Sequence, residues 1–233
     1  MPQISIKNIF VRGTLILHPN RNLGLIFIML KVIFNKEDLE GSQIFFTSDT
    51  HFRHGNIIKY CSRPFISVQE MDHALIQNWN KTVGVNDIVF ILGDFAFADK
   101  SKWRQLLNAL YGKKYLILGN HDREEDIPEE CFIGVCDMAQ ISIYDEELDG
   151  YATFIATHYP LATWAGINKG RFNIHGHIHS TPDLRGTGFD IQIAKNAPWN
   201  QYDVGMDRND YTPIDYEQLK TIFTKRMLYG NRK

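Results

Sequence analysis

Ile88-Val89-Phe90-Ile91-Leu92 is an unbroken apolar run held between Asp87 and Gly93-Asp94, the pattern of a strand buried on both faces that stops at a carboxylate. Asp94 then falls just past the carboxyl end of a strand, where α/β proteins keep their chemistry. The same form recurs on either side. Ile44-Phe45-Phe46-Thr47-Ser48 runs into Asp49-Thr50-His51, and Tyr115-Leu116-Ile117-Leu118 runs into Gly119-Asn120-His121-Asp122. Between these strands the apolar spacing changes to that of helices. One is predicted over 67–83, opened by a Ser67/Glu70 capping box and carrying Met71, Leu75, Ile76 and Trp79 on one face. A second is predicted over about 100–111, with Trp103, Leu106, Leu107 and Leu110 inward and Gly112 as its stop.

Past Glu130 the runs shorten and alternate, so 139–144 and 151–156 are expected to be antiparallel strands, the second delivering Thr157-His158. Phe172-Asn173-Ile174 leads into His175-Gly176-His177-Ile178-His179, where alternation sends His177 and His179 to one side and leaves His175 as a structural neighbour. Further strands are expected at 189–194 and 202–206. A closing helix over about 215–227 turns Tyr216, Leu219, Ile222 and Phe223 inward, and the basic tail of Lys225, Arg226, Arg232 and Lys233 reads as a solvated end. Residues 1–40 have no sustained period and are expected to be an N-terminal extension that adds a strand pair to a single domain over 41–233. Met29 offers a second start, which would make 1–28 dispensable.

Charge and cysteine content narrow the function. With 25 basic against 27 acidic residues in 233, no basic field exists to capture nucleic acid, which could enter only as a substrate held by the site. Three cysteines in no CxxC arrangement fit a reducing, cytoplasmic home. The most apolar stretch, 23–34, is too short to span a membrane and contains Lys31, so no membrane role is expected.

Five sites, Asp49/His51, Asp94, Asn120/His121, His158 and His177/His179, lie at or near the ends of predicted strands. Asp49 and Asp94, the amide of Asn120, and the imidazoles of His51, His158, His177 and His179 form the ligand set of two borderline divalent metal ions, Mn, Fe, Zn or Ni. His121 can move protons near neutral pH, and Asp122 can orient its ring.

Asp-x-His, Gly-Asp, Gly-Asn-His-Asp, a lone His and Gly-His-x-His, in that order from about Ile44 to Val204, resemble the signature of the calcineurin-like metallophosphoesterase superfamily. Asp49-Thr50-His51-Phe52-x-His54-x-Asn56-Ile57, followed by Arg63-Pro64-Phe65, is similar to a group of small phosphoesterases of bacteria and phages; the first 40 residues lie outside that pattern. The resemblance implies an α/β fold of two facing mixed β-sheets flanked by helices, a four-layer sandwich. It places Asp49, His51 and His179 on one ion and Asn120, His158 and His177 on the other, with Asp94 bridging. The implied reaction is hydrolysis of a phosphate ester by metal-bound hydroxide, with His121 protonating the leaving group and Asp122 beside it as the catalytic pair. His54, Arg53 and Arg123 are expected to meet the substrate. A small chain without an evident capping domain favours an open site and a phosphodiester or nucleotide. The alternatives are a phosphomonoesterase or protein phosphatase, a metal-dependent nuclease, and a metal-bearing scaffold without catalysis.

Overall fold

The computed structural model describes residues 12–15, 28–184 and 189–229. Most of the segment expected to be dispensable, and Arg232 and Lys233 of the tail, lie outside the described residues. In chain order the strands are β1 (Arg12–Leu15), β2 (Ile28–Phe34), β3 (Ile44–Thr47), β4 (Ile88–Ile91), β5 (Lys113–Ile117), β6 (Gly134–Cys136), β7 (Met138–Asp145), β8 (Gly150–Thr157), β9 (Phe172–His175), β10 (Gln201–Asp203) and β11 (Ile214–Asp215). The helices are α1 (Gly55–Tyr60), α2 (Val68–Thr82), α3 (Lys100–Ala109), α4 (Phe189–Asn196) and α5 (Tyr216–Tyr229).

These strands form two mixed sheets, a five-stranded one in the order β11-β3-β4-β5-β6 and a six-stranded one in the order β1-β2-β7-β8-β9-β10. Strand alternation explains how both faces of the first sheet are buried. Phe46, Phe90 and Tyr115 are register partners whose rings stack at 5.8 and 4.7 Å, and Phe46 meets Phe154 of the second sheet at 5.5 Å. Their neighbours Phe45, Val89 and Leu116 point the other way, into a second core with Met71, Leu75 and Trp79 of α2 and Trp103, Leu106 and Leu107 of α3. Truncating one of these fully buried aromatics is worth about 3–5 kcal/mol. The core therefore locks β3, β4 and β5 side by side and in parallel, with their carboxyl ends at one edge.

Local signals agree with that packing. Ser67 Oγ accepts from the Glu70 amide at 3.2 Å, while the Glu70 carboxylate reaches back to the Ile66 amide at 2.8 Å, one residue before the expected capping-box partner. The antiparallel pair β7–β8 matches the expected alternation. The expected N-terminal strand pair is present as β1–β2, and β2 also runs parallel to β7, burying Leu30, Val32 and Phe34.

Three expectations are corrected. The 189–194 segment is helix α4: the two-residue spacing of Phe189, Ile191 and Ile193 imitates a strand, but the segment pairs with no strand among the described residues. The last strand is not at 202–206, because β10 stops at Asp203 and the two-residue β11 follows. Arg226 is not part of a solvated end; its guanidinium donates to the Gln201 carbonyl at 2.7 Å and lies 5.0 Å over the Tyr202 ring. Among the described residues no helix is long and apolar enough to cross a membrane, and the three cysteines are free.

Candidate metal centre

The edge where β3, β4 and β5 end is built from residues in an uncommon backbone conformation. Asp49 (φ 54°), His51 (φ 50°), Asp94 (φ 54°), His177 (φ 72°) and His179 (φ 43°) all lie in the left-handed region. That conformation costs an L-residue about 1–2 kcal/mol, and Asp and His are among the residues that tolerate it best. The alternation expected to align His177 and His179 is thereby corrected, and the Asp49/His51 pair follows the same rule. β3 stops at Thr47 and β9 at His175, so left-handed residues beyond the strands, and not strand alternation, bring these side chains together. The loops after β3 and β4 continue the sheet's hydrogen bonding: the Asp49 amide donates to the Gly93 carbonyl and the His51 amide to the Asp94 carbonyl, both at 3.0 Å. Two glycines permit the close approach. A side chain at Gly176 would run into Ser48 and Asp49, and one at Gly119 into Asp94.

One cluster comprises Asp49, His51 and His179. Asp49 Oδ2 accepts from the His177 amide at 2.9 Å, which leaves Oδ1 facing His179 Nε2 at 3.8 Å and His51 Nε2 at 4.0 Å. Burial pushes the Asp49 carboxyl up to about 6 and the His51 imidazole down to about 2. Burial alone would lower His179 too, but the Asp49 and Asp207 carboxylates outweigh it and hold its proton up to about 11. The second grouping is Asp49, Asp94 and His158, with the Asn120 amide beside His158 and the His177 ring 5.1 Å from the His158 ring. His158 Nδ1 donates to the Leu92 carbonyl at 2.7 Å, leaving Nε2 to face Asn120 Oδ1 at 3.0 Å and Asp94 Oδ2 at 3.5 Å. Against the desolvation both suffer, the Asp94–His158 pair brings Asp94 to about 2 and His158 to about 9.

The donor set fits divalent cations. Asp49 Oδ1 and His51 Nε2 are buried and have no hydrogen-bond partner among the described residues, a costly state that a cation between them would relieve. Their 3.6–4.0 Å spacings to neighbouring ligand atoms are close to the roughly 3–3.5 Å separations of atoms sharing one ion at about 2.0–2.2 Å. A third grouping, Cys61 with His179 and Asp207, is equally compact, but the Asp207 oxygens are already filled by Arg63 and His179.

The remaining sequence candidates occupy different stations. His121 stands at the mouth, its side chain 47% exposed and its Nε2 4.0 Å from Asp94 Oδ2. Both Asp122 oxygens are taken up by the amides of Asp94, Phe95 and Gly119, so the carboxylate clamps the turn carrying His121 to the end of β4. His54 lies 3.3 Å from His51, nitrogen to nitrogen, and stacks on Phe97 with centroids 3.9 Å apart. Arg53 is exposed, and Arg123 is bound by Asp126 and Glu125 of its own loop. Sequence reasoning assigns no role to three contributors. Asp207 pairs with His179, Arg63 pairs with Asp207, and Phe97 packs against His51, His54 and His121. For Asp207 a signal existed, since Gly205-Met206-Asp207 also places a glycine and an acid after a strand.

Comparison with known proteins bears on the family and the fold. A family model described as calcineurin-like phosphoesterase matches residues 42–218. An uncharacterized protein of Methanocaldococcus jannaschii is 40% identical over 185 residues, covering 78% of this chain and 92% of that protein. The gene 66 protein of Mycobacterium phage D29 is 30% identical over 202 residues, covering 75% and 93%. A protein of unknown function from Aquifex aeolicus shares the fold with a TM-score of 0.58 at 24% identity, covering 78% of this chain and 99% of that one.

Proposed function

The chain belongs to the calcineurin-like phosphoesterase family, and from that premise we propose that it is a hydrolase of phosphate esters working with two divalent cations, its substrate a phosphodiester or nucleotide. One observation carries the reading. Asp94 Oδ2 stands 3.6 Å from His51 Nε2 and 3.5 Å from His158 Nε2, so a single carboxylate serves both ligand clusters. Asp49, His51 and His179 would hold one ion, Asn120, His158 and His177 the other, and Asp94 both. When bound, such a pair lowers the pKa of water towards neutrality and neutralises charge on the phosphoryl oxygens.

The chain's own residues supply the rest. His121 is exposed enough to reach a substrate, and its Nε2 is the atom that delivers a proton to the leaving oxygen. Asp122 positions it through the turn. His54, backed by Phe97, faces the entering phosphate, with Arg53 and Arg123 outside it. Phe97, 39% exposed and 4.9 Å from the His121 ring, gives the leaving-group side a flat apolar wall that suits an aryl or nucleoside ester. The free cysteines suit a cytoplasmic home.

Turnover of bis-p-nitrophenyl phosphate and p-nitrophenyl phosphate, with Mn and after chelation, tests the proposal. Mn-dependent hydrolysis favouring the diester is expected. Preference for the monoester would move the assignment to a phosphomonoesterase or protein phosphatase. Bound ions without turnover of either ester would leave a non-catalytic scaffold. Residues 1–28 are proposed to be dispensable, so a chain begun at Met29, one residue into β2, should stay soluble and keep this activity; insolubility would contradict that.

A further inference from the structure

We infer that Arg63 and Asp207 form a clamp that stiffens the Asp49/His51/His179 half of the centre, so that the two cations load in order, this half first. The inference rests on the two-cation reading. Arg63 is buried, 4% exposed, between the ligand-bearing Asp49 loop and Asp207, which is distant in sequence. Its Nε and Nη2 donate to Asp207 Oδ1 and Oδ2 at 2.9 and 2.8 Å, its Nη2 also to the Asp49 carbonyl at 2.7 Å, and its Nη1 to the Thr50 carbonyl at 3.0 Å. Asp207 Oδ2 in turn accepts from His179 Nδ1 at 2.7 Å.

One planar guanidinium thus holds the backbone of Asp49 directly and the ring of His179 through Asp207. A fork of fixed geometry restricts both, where a flexible ammonium would not. With Nδ1–H given to Asp207, His179 turns Nε2, the nitrogen a cation would take, towards Asp49 Oδ1. The other half has a weaker counterpart, since Asp122 ties the turn carrying Asn120 to Asp94 and Phe95 through backbone amides alone and takes hold of no ligand side chain. His158 is anchored on the Leu92 carbonyl, but Asn120 is exposed on a turn, and the half-buried His177 ring packs on Tyr159 and His158 at 4.5 and 5.1 Å. Ligands already in place bind without an ordering cost, and ligands that must be gathered bind more weakly.

Mn(II) titration of chelator-stripped protein, followed by calorimetry and by electron paramagnetic resonance, tests this. Expected are two affinity classes, with an isolated-ion spectrum at one equivalent and a spin-coupled spectrum only at two. Asp207→Asn and Arg63→Lys should weaken the tight class about 10–100-fold and spare the weak one. His177→Ala should do the reverse. Thermal unfolding of each variant separates this from loss of fold, and the unsubstituted protein decides the matter if a variant does not fold. A coupled spectrum from the first addition, two equal classes, or an unchanged tight class in Asp207→Asn would overturn the ordering while leaving the two-cation reading intact. Failure to bind any ion would overturn both.

Discussion

Two buried acids of this molecule, Asp49 and Asp145, sit in opposite electrostatic situations. Asp145 closes β7 opposite Gly150, whereas His158 follows the other end of β8, roughly 23 Å away at about 3.3 Å per residue. Around Asp145 every oxygen is used: Oδ1 accepts from the Leu148 amide at 3.0 Å, and Oδ2 meets Tyr216 Oη and Lys220 Nζ. Desolvation would raise its pKa, but Lys220 and Tyr216 hold it low. Around Asp49 the protein supplies one amide and leaves Oδ1 facing two imidazoles, and burial prevails. A buried charge cluster that is complete in itself braces a fold, and one with valence left over calls for a ligand.

Substitutions can break that contrast, beginning with the shared carboxylate. Asp94→Asn is expected to remove metal-dependent hydrolysis, by about 10³-fold or more, because one group faces both clusters. Retained activity would show that the clusters do not act together. His121→Ala should keep the metals and slow turnover about 10²–10⁴-fold, most for poor leaving groups. A uniform loss across leaving groups of different pKa would remove His121 as the proton donor. Asp145→Asn should lower stability by about 1–3 kcal/mol in denaturant titrations and leave metal content unchanged; lost metal would mean the two ends are coupled.

The smallest effect sharpens the comparison through pH. In the protein without cations His158 and His179 are raised from 6.5 to about 9 and about 11. Raised folded-state values stabilise fully below about 6.5, and that contribution is lost as pH rises through about 9 and then about 11. Cations require Nε2 free, so their stabilisation grows over the same range. Thermal unfolding with chelator and with Mn should therefore diverge as pH rises, and parallel profiles would contradict the assignment of these two ligands.

The middle of the five-stranded sheet was legible because β3, β4 and β5 are short apolar runs that end in chemistry, and α2 and α3 carry strong periodicity and caps, whereas the edge strands β6 and β11 are too short to leave a pattern. The residues gathered at the candidate site were legible for the same reason, each block being local. What the sequence hid is what depends on distant contacts. Arg63 and Asp207 are 144 positions apart, so no window contains their pairing. The left-handed backbone at Asp49 and His177 leaves no pattern of its own, and α4 carries an alternation that the fold ignores.

Metal content of the purified protein, measured by elemental analysis before and after exhaustive chelation, bears most directly on the centre. Two equivalents of transition-metal ion per chain, lost together with phosphoesterase activity and restored by Mn, is the expected result. A folded protein that takes up no such ion would contradict it.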